Sequence, residues 1–116
     1  MQYLLLIYEE EKLWNALSEA DRGRLYGEYM TFTADIKKSG HWRAGNPLQP
    51  VHTATTVRVR DGKVSTTDGP FAETREQLGG YYLVEARDLD EATRLAERVP
   101  GARLGSIEVR PVMAIP

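Results

Sequence analysis

The chain has no cysteine among its 116 residues. That excludes a disulfide framework, thiol nucleophiles and thiolate metal sites, and it suits a reducing compartment. Histidine is nearly as scarce. His41 and His52 are the only two, and neither shares a helical or turn spacing with carboxylates that forms a divalent-metal motif. No metal is expected, and no cofactor is specified by any pattern. A dominant charge sign is missing too: 15 Lys and Arg oppose 17 Asp and Glu, for a formal net of −2. The basic residues are scattered, whereas nucleic-acid binding calls for a basic face or stripe, so nucleic acid is not an expected partner. Long apolar runs are absent as well. The run Tyr3-Leu4-Leu5-Leu6-Ile7-Tyr8 meets Glu9-Glu10-Glu11 at once and follows no positive residue. It is too short for a signal-peptide core or a membrane span. A cytoplasmic protein without a membrane partner is the expectation.

What is present describes one domain covering residues 1–116, long enough to bury roughly two-thirds of the surface its unfolded chain exposes. Tyr3 to Tyr8 reads as a strand covered on both faces. Glu10 to Leu17 suits a short helical turn with Leu13, Trp14 and Leu17 on its apolar side. Ser18 then opens a longer helix, with Asp21 in a capping-box-like position. Its stripe is Leu25, Tyr29, Phe32 and Ile36, and Gly40 can end it. From Thr53 the period becomes two, with Thr53, Thr55, Val57 and Val59 on one side and Arg58 and Arg60 on the other. Asp61-Gly62 is a hairpin turn, and Lys63 to Asp68 returns. Leu78 to Ala86 forms a further strand in which Gly79-Gly80 marks a bulge or a close backbone approach. Asp88 and Glu91 cap a second helix carrying Ala92, Leu95, Ala96 and Val99, stopped by Pro100-Gly101. Ile107 and Val109 face inward on a last strand, with Glu108 and Arg110 outward.

The order strand, helix, hairpin, strand, helix, strand predicts an α+β fold. Its ferredoxin-like antiparallel sheet has two helices on one face and an added β-hairpin. The sheet's other face needs a cover, and a second copy of the chain, a homodimer, supplies one.

Chemistry concentrates between Thr67 and Glu76. A two-residue turn at Asp61-Gly62 pairs Thr55 with Asp68, which turns Asp68 to the same side as Val57, Val59, Val64 and Thr66. A carboxylate on an apolar side needs a partner. Asp68 either braces the Gly69-Pro70 turn through backbone N–H groups or serves a ligand. Glu73 and Glu76 follow; paired carboxylates can divide acid and base roles, or simply sit in a solvated loop. Extending the hairpin register brings His52 opposite Phe71 and near Asp68, where a His–Asp contact makes a general base unless Pro70 breaks the ladder first.

The stretch Asp68-Gly69-Pro70-Phe71-Ala72-Glu73-Thr74-Arg75-Glu76-Gln77-Leu78-Gly79-Gly80-Tyr81-Tyr82 closely resembles the DGPF-motif branch of the YCII-related proteins. The likeness continues through Asp61-Gly62, Asp88 to Ala92, and Glu108 to Val112. This resemblance implies a dimeric α/β-barrel assembly of ferredoxin-like chains. Its members are small bacterial proteins mostly of undefined activity, some encoded beside extracytoplasmic-function sigma factors. The wider group is held to be enzymatic because of a histidine on the first helix and an aspartate after the second. Here those places hold Glu28-Tyr29 and Val99-Pro100, so that pair does not carry over.

Two readings follow. In one, a dimer-face pocket binds or transforms a small molecule, with Asp68 and His52 as catalytic groups and Glu73, Glu76, Arg110 and Phe71 as ligand-binding neighbours. In the other, the chain is a non-enzymatic partner-binding module, for instance one acting with a sigma factor.

Overall fold

In the computed structural model, which describes residues 1–116, the apolar start forms strand β1 (Gln2–Glu9). The short helix α1 (Glu11–Ala16) follows it. Helix α2 (Glu19–Lys38) starts where Ser18 Oγ accepts the Asp21 N–H at 3.1 Å. It ends at Gly40, whose positive φ of 82° lets the His41 N–H reach back to the Ile36 carbonyl. Strand β2 (Trp42–Pro47) then leads through a 3₁₀ turn at Val51–Thr53 into a hairpin of β3 (Thr55–Arg60) and β4 (Lys63–Asp68). Strand β5 (Gln77–Glu85), helix α3 (Leu89–Arg98), a 3₁₀ turn at Pro100–Arg103 and strand β6 (Ser106–Pro111) complete the chain. Asp88 caps α3 by accepting the Glu91 N–H, and the Glu91 carboxylate returns to the Arg87 N–H, both at 2.9 Å.

The four-stranded sheet runs β2-β5-β1-β6, antiparallel throughout, and β3-β4 form a separate two-stranded sheet. This is the ferredoxin-like order with an added hairpin, as the pattern predicts. Both long helices cover one face. Tyr3, Leu5 and Ile7 of β1 and Tyr82 and Val84 of β5 pack there against Phe32 and Ile36 of α2 and Ala92, Leu95 and Ala96 of α3. No helix is long and apolar enough to cross a membrane.

Three expectations change. Strand β2 lacks a readable alternation, because Gly45, Asn46 and Pro47 interrupt it; as an edge strand it tolerates Pro, and Gly45 is needed where a Cβ would lie 2.8 Å from the Tyr82 ring. Strand β1 is buried on its helix face alone, with Leu4, Leu6 and Tyr8 half-buried on the other. The hairpin register is as predicted, Thr55 opposite Asp68 and Arg60 opposite Lys63, yet its valine side faces solvent. Val57, Val59 and Val64 are 60, 57 and 68% exposed, so Asp68 meets no apolar layer within its own chain. The molecule is accordingly flat, 47 × 47 × 19 Å, with a radius of gyration of 16.1 Å, against about 13 Å for a rounded chain of this length.

Candidate active site

Between α2 and the β2–β5 edge lies a cleft of about 790 Å³, within the range of small-molecule sites. It lies on the helix side of the sheet. Both tryptophans and four of the six tyrosines line it, together with Glu9, Glu11 and Lys37. Helix α2 supplies Tyr26 and Tyr29 from adjacent turns; the three-residue step places them on neighbouring faces, Tyr29 half-buried and Tyr26 open. Trp14 of α1 meets Tyr26 edge-to-face at 5.1 Å, and Lys37 lies over Trp42 at 4.6 Å. Tyr82 rises from β5, its hydroxyl sharing a 2.8 Å hydrogen bond with Thr33.

Glycine makes the room. The β1–β5 register slips between Ile7 and Tyr8, leaving Gly79 as the extra residue of a bulge. Glu9 Oε1 occupies the space beside it, 2.9 Å from where a Gly79 Cβ would lie. The Gly79-Gly80 pair is thus both bulge and close approach. Glu9 is held above the usual carboxylate range, first by burial and then by the charge of Glu11. Glu11 itself accepts the Val51 N–H at 2.8 Å, which ties α1 to the turn at the cleft's far wall. Tyr29 accepts the Gly101 N–H at 3.0 Å, leaving its own proton free to donate. Burial, and then the nearby charge of Glu9, push this hydroxyl up. Burial also raises Tyr82, opposed by the Thr33 hydrogen bond. The cleft therefore presents a carboxyl held above its ordinary range together with a tyrosine hydroxyl whose proton is free to donate.

The residues singled out from sequence lie elsewhere. Asp68 ends β4 in solvent; the turn after it is braced by the Thr56 hydroxyl donating to the Gly69 carbonyl and by the Gly69 N–H reaching Ala54. The Asp68 carboxylate takes no part in either bond. His52 does not continue the ladder, which stops at Thr55–Asp68 because residues 51–53 curl into the 3₁₀ turn. Phe71 is 80% exposed under the Arg58 guanidinium. Glu73 is exposed, and Glu76 accepts a hydrogen bond from Ser106. Arg110 is exposed and pairs with Glu108. None of these six lines the cleft. The motif reaches the body through Arg75 instead, whose guanidinium donates to the buried Glu10 and holds that carboxyl below its usual range. His41 joins the end of α2 to the α3 cap, with Nδ1 2.6 Å from Ser39 Oγ and Nε2 3.3 Å from Glu91. No group of three or more His, Asp and Glu side chains is placed to hold a metal ion.

Glu9 is the residue sequence reading passed over, as the polar end of an apolar run. The signal was split between two places: an acid at the close of β1 and a glycine pair at the start of β5.

A family model of the YCII-related domain matches residues 1–116. A relative, an uncharacterised protein of Rhizobium meliloti (strain 1021), is 35% identical over 114 residues, covering 97% of this chain and 92% of the relative. Among solved structures, the chain is similar to the 5-chloro-2-hydroxyhydroquinone dehydrochlorinase of Burkholderia phenoliruptrix AC1100, in complex with 2,5-dihydroxybenzoquinone. That match has a TM-score of 0.55 and 16% identity, and covers 97% of this chain and 94% of the other. At that identity the likeness is one of fold.

Proposed function

The chain belongs to the YCII-related family, and from that premise we propose that it binds and transforms a small molecule in the α2 cleft. Glu9 is the proton-transfer group. The observation that carries this reading is the placement of the Glu9 carboxyl against Gly79 inside an aromatic-lined cleft of about 790 Å³. As a carboxylate it takes a proton from a bound O–H or C–H acid; as the neutral acid it returns one to the product. Tyr29 donates a hydrogen bond to the atom that gains negative charge. Within the family, the stretch Asp68 to Tyr82 supports placement in the DGPF branch, and the charge balance fits a cytoplasmic protein.

A homodimer is part of the proposal. Leu4, Leu6 and Leu83 leave a half-buried apolar sheet face that a second copy can cover. Light scattering then reads twice the 13.1 kDa of one chain. The group around Asp68, with His52, Glu73, Phe71 and Arg110, remains a second candidate site, since its residues are open on one chain and need a second to enclose them. A thermal-shift fragment screen separates the two sites. Hits from the cleft vanish in Gly45→Val and persist in Asp68→Asn; the reverse pattern moves the site to the motif loop and overturns the assignment to Glu9.

The alternative is a partner-binding regulatory module, with an extracytoplasmic-function sigma factor as one such partner. It is favoured by the open apolar side of the hairpin, Val57, Val59 and Val64, near the exposed Phe71. A pull-down from host extract that recovers only the chain itself removes it.

A further inference from the structure

We infer that the stretch Asp68 to Tyr82 serves the cleft as a clamp, in which Arg75, Gln77 and Gly79 are positioning residues that seat Glu9. The inference rests on the reading of Glu9 as the proton-transfer group, and it gives the stretch a role that Asp68 and Glu73 do not fill.

Three contacts carry it. Arg75 donates to the side chain of Glu10, and Gln77 Oε1 accepts the Glu11 N–H at 3.3 Å. The missing Cβ of Gly79 leaves the space that Glu9 Oε1 fills. Three positions, each two residues from the next, thus meet three consecutive acids. The β1–β5 register brings them together, because Glu9 lies opposite Gln77 just beyond the slip that frees Gly79. The clamp closes on the junction of β1 and α1. Glu10 caps that helix, and its carbonyl accepts the Leu13 N–H at 3.0 Å. Fixing Glu10 therefore fixes both the strand end that carries Glu9 and the helix start that carries Trp14. Gln77 lines the cleft and Arg75 does not, so Arg75 acts through Glu10.

The junction needs such a hold. Helix α1 has no buried residue to anchor it, and fixing a glutamate side chain costs up to about 2 kcal/mol of rotamer entropy. Glu11 also repels Glu9, which draws an unrestrained Glu9 toward water. Arg75 offsets the charge of Glu10 between them, and Gln77 holds the backbone without adding a charge. Gly79 is the most specific of the three. The nearest neighbours of a Cβ there are all Glu9 side-chain atoms, with the carboxyl tip at 2.9 Å. Gly79→Ala therefore displaces a flexible side-chain end and not the backbone.

Carbon-13 NMR of the side-chain carboxyls reads the seat in the full chain, titrated in about 0.5 M salt to screen the neighbouring charges. The Glu9 signal, assigned by its loss in Glu9→Gln, is expected to titrate above 4.5 in the wild type. Arg75→Ala, Gln77→Ala and Gly79→Ala are each expected to bring that midpoint down toward 4.5, and Arg75→Lys to return it to the wild-type value. Asp88→Ala removes the remote α3 cap; it is expected to lower stability and leave the midpoint in place. Melting temperatures that fall in Arg75→Ala and Gln77→Ala while the Glu9 midpoint stays put overturn the clamp. An equal shift in Asp88→Ala overturns it too, as does a wild-type midpoint at 4.5. Should Arg75→Ala not fold, Gln77→Ala and Gly79→Ala decide on the same terms. The two readings fail separately. Screen hits indifferent to Gly45→Val, alongside the expected shifts, remove the proton-transfer role and leave the clamp standing; hits lost in Gly45→Val alongside an unmoved midpoint do the reverse.

Discussion

Strand β1 is a continuous apolar run and strand β3 an alternating one, and the two come to opposite ends. Leu5 in β1 is fully buried, while Val57 in β3 is 60% exposed. Alternation decides which residues share a side and so fixes register; the β3–β4 pairing follows it residue for residue. Burial of that side depends on a second layer. Helices α2 and α3 provide one for β1, and nothing in the chain provides one for the hairpin. The two regions separate what a pattern specifies from what only tertiary neighbours supply.

The widest gap between them lies in core truncation. Ile36→Ala removes a fully buried side chain at the β1 layer and is expected to cost about 2–5 kcal/mol in urea unfolding. Gly45→Ala is next. Its Cβ would lie 2.8 Å from the Tyr82 ring, an overpacking expected to cost about 1–3 kcal/mol and to narrow the cleft. Asp88→Ala removes the α3 cap, at about 0.5–2 kcal/mol. Val57→Ala closes the series at within about 0.5 kcal/mol for a lone chain. A larger loss that grows with protein concentration would break the comparison, because it would show that a second copy supplies the hairpin's missing layer.

Acidity sharpens it further, through groups of opposite sign. Glu9 titrates above its ordinary 4.5, so over that window the folded chain holds a proton the unfolded chain has released. Stability falls as pH rises from 4.5 through the folded value. Glu9→Gln removes that loss, and the variant melts higher than wild type at neutral pH and converges with it below 4.5. Stability given up for an ionisable group in a cleft is the usual mark of a working site. Glu10, Glu85 and Glu91 are held low, by Arg75, by the Met1 ammonium and by the Arg87 N–H respectively. Their contribution is present above 4.5 and is lost as pH falls through their folded values. Arg75→Ala therefore flattens the acid limb of a melting-temperature profile.

Most of the fold could be read from local chemistry. Ser18 and Asp88 cap the helices they were expected to cap, and Asp61-Gly62 sets the hairpin. The stripe of α2 turns inward at Leu25, Phe32 and Ile36. Strand β2 was hidden because its residues answer to a neighbour, the Tyr82 ring, and not to a period. The cleft was hidden for a related reason. Glu9 and Gly79 lie 70 positions apart in sequence, and only the β1–β5 register makes them one feature. The motif drew notice to Asp68 and Glu73, whereas its tie to the body runs through Arg75 and Glu10.

The aromatic lining of the cleft also sets what the molecule emits. Trp14 and Trp42 are its only tryptophans, and both border that single space. Excited at the indole band, the chain reports the cleft and little else. Lys37 over Trp42 and Tyr26 against Trp14 give the two emitters different surroundings. Occupancy should therefore be visible as a quench or a colour shift in the unlabelled protein, resolved into its two ends by replacing one indole with phenylalanine at a time.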